Sequence, residues 1–175
     1  MKETKLKICT WPEKILRKKC REVKTFDGRI KCLFSEMLSL MRITDGVGLA
    51  ANQVGLDLRL VVVELNSKVF KLVNPRITKK KGSLRFLEGC LSFPGLELEI
   101  KRSEKVWLSA QDEEGKEINL EAKGPLAVIF QHELDHIDGI VFIDRASFWQ
   151  KLRAKPKLKA IVRRAKDEVR KPKEK

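Results

Sequence analysis

Residues 124–139 constrain this chain more than any other stretch. Gly124-Pro125 opens a helix, because proline is tolerated at the first helical position. Gly139 suits its end. Between them, Leu126, Ala127, Val128, Ile129 and Phe130 are apolar on every side. A helix apolar all round has to be buried, so the rest of the chain must be built around it. The same helix carries the only two histidines, His132 and His136. Four residues apart on a helix, they share a face one turn apart and can grip a single metal ion. Glu133 then lies beside the ion without ligating it, placed to take a proton from water bound there. Taken alone, the spacing also fits two core histidines bonded to backbone carbonyls.

The surroundings read as α+β, with mostly antiparallel sheets around that central buried helix. Pro12 to Lys19 reads as a short helix. Asp27 can cap a longer one, in which Ile30, Leu33, Phe34, Met37, Leu38 and Met41 recur at helical spacing. After the glycine-rich break at 45–53, strand patterns dominate. Leu60 to Val63 reads as a buried strand, and Val69 to Val73 as another, ended by Asn74-Pro75. Leu96 to Ile100 alternates, as do Val106/Leu108/Ala110 and Ile118/Leu120/Ala122, the last two joined by a hairpin turn at 112–116. Strands followed by a central helix, without βαβ alternation, indicate the α+β class.

At 175 residues the chain fits one domain with a sizeable core. No apolar run reaches the ~18 residues of a membrane span, and the first seven residues lack the apolar stretch of a signal peptide. Cysteines at 9, 20, 32 and 90 show no paired framework, which suits reduced thiols in a cytoplasmic protein. Charge is unevenly placed. Residues 151–175 hold twelve Lys/Arg against three Asp/Glu, a net +9 of the chain's +14. Leu158, Ile161, Val162, Ala165 and Val169 follow helical spacing there, and Pro156 marks a start or a kink. This basic amphipathic helix suggests a polyanionic partner, nucleic acid or an anionic membrane surface. A solvated tail is the plainer alternative.

Two histidines do not complete a catalytic metal site, which usually has three protein ligands and water. No histidine follows His136. The downstream acids are Asp138, Asp144, Asp167, Glu168 and Glu174, of which the last three sit in the basic tail. Upstream, Cys90 in Glu88-Gly89-Cys90-Leu91-Ser92 offers a thiolate suited to iron(II) or zinc.

Three blocks now resemble the peptide deformylase family in order and spacing: Gly46 to Gln53, Glu88 to Ser92, and Gln131 to His136 followed by Asp138-Gly139. Softer matches at Ile15 to Arg17, Val73 to Pro75 and Arg102 extend the resemblance over roughly residues 5–150. It implies a catalytic domain at 1–150 and a basic C-terminal helix and tail at 151–175. Cys90, His132 and His136 would hold one divalent metal ion: Fe2+ first, with Zn2+, Ni2+ or Co2+ as alternatives. Glu133 would shuttle the proton, while Gln53 and the Leu91 N–H polarise the formyl oxygen. Gly46 and Gly48 would let backbone approach the substrate, and Val47, Val128 and Ile129 would line the methionine pocket. Glu88 and Arg102 would pair to steady Cys90. The substrate would be the N-formyl-methionyl end of a nascent peptide, met at the ribosome near the exit tunnel through the basic helix, with no membrane involved. Asn52, Phe93 and Ile137 depart from the usual pattern without removing a functional group.

Two other readings stand beside this one. A metallopeptidase would use Asp138 or Asp144 as third ligand. A non-enzymatic RNA- or ribosome-binding protein with structural zinc would need four ligands, and so would recruit Cys9, Cys20 or Cys32.

Overall fold

The computed structural model describes residues 6–170. After a single 3-10 turn at Lys14–Arg17, helix α1 spans Gly28–Ile43. Asp27 caps it, its carboxylate accepting from the Arg29 N–H at 2.9 Å. Ile30, Phe34, Met37 and Met41 form its buried face. Thr44 closes the other end, donating its hydroxyl to the Leu40 carbonyl at 2.9 Å.

Strand β1 (Gly48–Ala50) follows, then a 3-10 turn at Ala51–Val54, then β2 (Leu60–Leu65) and the long β3 (Lys68–Lys81). β4 (Leu84–Gly89) and β5 (Glu97–Arg102) form a separate two-stranded antiparallel sheet. β6 (Lys105–Gln111) and β7 (Glu117–Lys123) return to the first sheet, whose order is β1-β2-β3-β6-β7 with every neighbour antiparallel. The β6–β7 turn is closed by the Asp112 carboxylate, which accepts from the Glu114 and Lys116 N–H groups at 2.9 Å each.

Helix α2 (Pro125–Ile137) packs on one face of the five-stranded sheet and α1 on the other. This is why β2 reads as an unbroken apolar run. Val61 and Val63 join Ala127, Phe130, Leu134 and Ile137 of α2, while Leu60 and Val62 join Phe34, Met37 and Met41 of α1. A strand covered on both sides has no polar face to show.

β3 does not end at Asn74-Pro75, as the turn-forming pair suggests; it runs on to Lys81. A register shift between Val73 and Arg76 absorbs the proline, whose missing N–H is then not needed by the ladder. Asn74 takes a positive φ of 50° and ties the bulge down. Its side chain accepts from the Val23 N–H at 2.8 Å and donates to the Val23 carbonyl and to Gln111, each at 2.9 Å.

A third core cluster lies under the small sheet. Leu98 and Ile100 of β5 meet Leu16, Phe93, Phe142 and Ala146 there. Short α3 (Phe142–Arg145) leads to α4 (Phe148–Arg170), whose Ala154 and Ile161 are buried in this cluster with Leu158 against them. Pro156 falls inside α4 rather than at its start. Leu152, the residue whose carbonyl loses its helical partner to the proline, is an exposed one.

Candidate metal centre

The alternation of β5 and the pitch of α2 together build the site. On α2, residues 128, 129, 132, 133 and 136 form one stripe, while 131, 134, 135 and 138 form another. The first stripe faces a cavity of about 390 Å³ at Val128, Ile129, His132 and Glu133, bounded opposite by Gly46, Val47, Gly48 and Leu91. Val128 is fully covered, whereas Val47 sits half-exposed at the rim. Phe86 and Leu87 of β4 complete an apolar margin.

Cys90 follows β4 directly and enters the same space. Its Sγ lies 3.2 Å from His136 Nε2. One donor atom each from Cys90, His132 and His136 falls within 4.8 Å of the others, and this is the one such group of potential ligands among the described residues. His132 commits Nδ1 to Glu88 at 2.8 Å, which orients the ring and leaves Nε2 as the atom it offers.

Glu88 in turn is held by Arg102. The guanidinium donates from Nε and one terminal nitrogen to the two Glu88 oxygens at 2.7 and 3.0 Å, and from the other to Asp135 at 2.5 Å. Arg145 grips the far side of Asp135 at 2.6 and 3.0 Å. Arg102 is inside because β5 alternates: it points the same way as Leu98 and Ile100. Burial alone pushes the Glu88 carboxyl up, but its bonds to Arg102 and His132 outweigh this and hold it below the usual carboxylate range.

Glu133 is 4 % exposed, and its Oε2 has no hydrogen-bond partner. Burial, reinforced by the charge of Glu88, pushes its carboxyl up to about 7, against the opposing pull of His132 and Arg102. Gly48 makes room for it: a Cβ there would come within 2.9 Å of Glu133 Cγ and Cδ. A Cβ on Gly46 would meet a Leu91 methyl at 2.9 Å. Gln53 is buried on the 3-10 turn after β1. Its Oε1 accepts from the Ala50 N–H at 2.8 Å, which turns its NH2 group toward Cys90 Sγ at 3.4 Å and Ser92 Oγ at 3.3 Å. The Leu91 N–H makes no hydrogen bond among the described residues.

The donor chemistry fits a divalent transition metal ion. One sulfur and two imidazoles suit iron(II) and zinc alike, and three protein ligands leave an open position of the catalytic kind. The unpartnered Glu133 oxygen and the unpartnered His136 Nδ1 are both buried beside this set.

The acids that a peptidase would need are engaged elsewhere. Asp138 pairs with Arg59 at 2.6 Å, and Asp144 pairs with Arg17 and accepts from the Val141 N–H; Glu174 lies outside the described residues. Burial pushes the Cys9 thiol to about 12 and the Cys20 thiol to about 11, the wrong direction for a ligand. Cys32 is exposed on α1.

Sequence reasoning gives no bonding role to Asn52, Ser92, Asp135 or Arg145. Asn52 is fully buried and donates to the His136 carbonyl at 2.5 Å, tying the Gln53 turn to the end of α2. Asp135 could have been found as the acid on the opposite stripe of the motif helix, which needs a cation if buried. Nothing in sequence links Arg145 to it.

A family model described as polypeptide deformylase matches residues 5–152. A peptide deformylase of Aquifex aeolicus is 38% identical over 162 residues, covering 89% of this chain and 96% of the relative. One of Caldicellulosiruptor bescii is 45% identical over 139 residues, covering 79% and 84%. Among solved structures, a plant peptide deformylase superposes with a TM-score of 0.91 at 37% identity, covering 98% of this chain and 97% of that one. The peptide deformylase from Legionella pneumophila gives 0.85 at 38% identity, covering 95% and 99%. Sequence and fold agree along nearly the whole length, and the chain belongs to the polypeptide deformylase family.

Proposed function

We propose that this protein removes the formyl group from the N-terminal formyl-methionine of nascent peptides in the cytoplasm, releasing formate. The observation that carries the reading is the buried Glu133 carboxylate. One of its oxygens lacks any partner, and it packs against Gly48 and lines the same cavity as Cys90 and His132. Cys90, His132 and His136 would hold the metal ion, Fe2+ first, with Zn2+, Ni2+ or Co2+ able to use the same donors. When bound, such an ion acidifies water toward pKa ~7 and polarises a carbonyl.

The remaining work belongs to the chain. Glu133 takes the proton of the attacking water and returns it to the leaving amine. Its dry pocket, which raises its affinity for a proton, suits both halves of that task. The Gln53 NH2 group and the Leu91 N–H are the two donors available to an oxyanion formed at the formyl carbon. One such donor is typically worth ~10²–10³ in rate. Gly46 and Gly48 allow the formamide to lie against backbone, and Val47, Val128 and Ile129 provide the apolar wall for the methionine side chain. Glu88 and Arg102 hold His132 in orientation; their support of Cys90 runs through the β4 end.

Glu133→Gln should keep the metal and lose turnover, since it removes the proton acceptor and no ligand. Formate release at near-normal rate from a metal-loaded variant would end this mechanism.

The outer face of α4 supports ribosome docking near the emerging chain. Lys155, Lys159, Arg163 and Lys166 are exposed on it, while Ala154 and Ile161 face the core. Because α4 seals that cluster, deleting it would confuse docking with stability. Replacing Lys159, Arg163 and Lys166 by alanine tests charge alone. Cosedimentation with ribosomes at low salt should fall, and unchanged cosedimentation would remove the assignment.

A further inference from the structure

Behind α2, on the side away from the metal centre, lies a second and larger cavity of about 640 Å³. Its wall carries six cations, Arg59, Arg76, Lys80, Lys101, Arg102 and Arg145, against two acids, Asp135 and Asp138. Both acids are already used. Asp135 is shared by Arg102 and Arg145, and Asp138 pairs with Arg59. Arg76, Lys80 and Lys101 are exposed and make no ion pair among the described residues. Nothing in the deformylation reading uses them.

We propose that this cleft binds the sugar–phosphate backbone of a single nucleic-acid strand. Three features select that occupant. First, the uncompensated charge is spread out. Arg76 and Lys80 are four residues apart on β3, roughly 13 Å of strand rise, and Lys101 stands on the other sheet. A single phosphate would have to draw three long side chains to one point, whereas successive phosphates of one strand can meet each where it stands. Second, the cleft is open at one end, continuing past Arg59, Arg76 and Asp138 into a further concavity of about 430 Å³; that extension adds Lys19 but also Glu22 and Glu117, so the surplus positive charge that seats the strand lies in the first concavity. Third, the surface is concave and its side-chain lining almost wholly polar, with Ile77 and Leu134 as exceptions. A flat lipid surface cannot enter it, and a base finds no aromatic platform there, so recognition falls on backbone charge.

The test uses the full chain and a labelled single-stranded RNA oligomer, with binding followed by fluorescence anisotropy across a salt series. Each lost phosphate contact on a single strand lowers the slope of log K against log salt by about 0.7. The triple variant Arg76→Ala/Lys80→Ala/Lys101→Ala should therefore bind more weakly, with its slope reduced by about 2. The α4 variant carrying alanine at Lys159, Arg163 and Lys166 serves as comparison, and its loss should add to that of the cleft variant. Release of formate from a free formyl-methionyl peptide should be untouched by the cleft substitutions, so the strand proposal and the deformylase reading fail separately. An unchanged slope in the cleft variant would overturn the proposal. So would competition by a mononucleotide as effective as the oligomer, which would mark a compact phosphate ligand. Loss of anionic-vesicle binding with RNA binding intact would assign the surface to lipid instead, and would equally overturn it.

Discussion

Gly48→Ala adds one methyl group, and the structure says where it goes. The new Cβ would stand 2.9 Å from both Cγ and Cδ of Glu133 and closer still to its Oε1, whereas carbon atoms pack comfortably at about 3.5–4.0 Å. A shortfall of at least about 0.6–1.1 Å must be taken up by Glu133 or by β1. β1 is an edge strand by position, but all three of its residues are buried and paired to β2. Its next residues lead straight into the Gln53 turn, which Asn52 ties to His136. Glu133 has an unbonded oxygen and so less to hold it. The carboxylate is therefore the part that moves.

A misplacement of about 1 Å at a reacting group can cost ~10²-fold, equivalent to about 2.7 kcal/mol of barrier. Gly48→Ala should thus lower kcat for formate release by about two orders of magnitude. Metal content should stay at the parent level, because no ligand is touched. KM should change less than kcat, since all the nearest neighbours of the added methyl belong to Glu133, and the backbone at Gly46 and the apolar wall formed by Val128 and Ile129 stay in place. Overpacking of this kind commonly costs 1–3 kcal/mol of stability, so a urea midpoint measured alongside separates a fold defect from a catalytic one. Full turnover in a folded, metal-loaded Gly48→Ala protein would refute the argument that this glycine exists to seat Glu133.

Cys90→Ala should lose bound metal by elemental analysis, while Cys9→Ala, Cys20→Ala and Cys32→Ala keep it; retention by Cys90→Ala would reopen the question of the third ligand. Arg102→Leu leaves Glu88 and Asp135 buried with less compensation, and should destabilise the fold by about 3–5 kcal/mol in denaturant titrations. A loss under 1 kcal/mol would mean that water reaches these carboxylates. Glu88→Gln keeps the shape but weakens the hold on His132, so metal affinity by equilibrium dialysis should drop ~10–100-fold; an unchanged affinity would show that His132 is oriented by packing alone.

The mixed helix and antiparallel-sheet fold was legible because its signals are periodic. The β2 run, the β6–β7 hairpin and the Asp27-capped helix each follow from residue spacing within a dozen positions. The sequence ends β3 too early because Asn74-Pro75 is an ordinary strand terminator. Its continuation depends on Val23 and Gln111, residues 51 and 37 positions away, bonding to Asn74. β4 carries no strand signal in sequence for a related reason. Leu84 to Gly89 carries one exposed and one buried charge, Arg85 and Glu88, and the second is tolerable because of Arg102 on the partner strand and His132 on α2. At the site, residue types and spacings named the metal-ligand candidates. Asn52 stands out in sequence only as a departure, because what it does is bond a backbone carbonyl 84 positions away.

The two stripes of α2 tie these points together. One stripe carries His132, Glu133 and His136 toward the front cavity; the other carries Gln131, Leu134, Asp135 and Asp138 toward the back cleft. Asp135 therefore sits in the motif helix with its carboxylate on the side opposite the metal centre. Arg102 links the two sides, bonding Asp135 behind and Glu88 in front, and Glu88 holds His132. A buried carboxylate on either side without that guanidinium would cost several kcal/mol, so the two faces of the helix are electrostatically one unit. The cations assigned to a nucleic-acid strand lie outside that unit. Arg76, Lys80 and Lys101 bond to none of its members, and this is why their removal should reach a phosphate backbone without reaching His132.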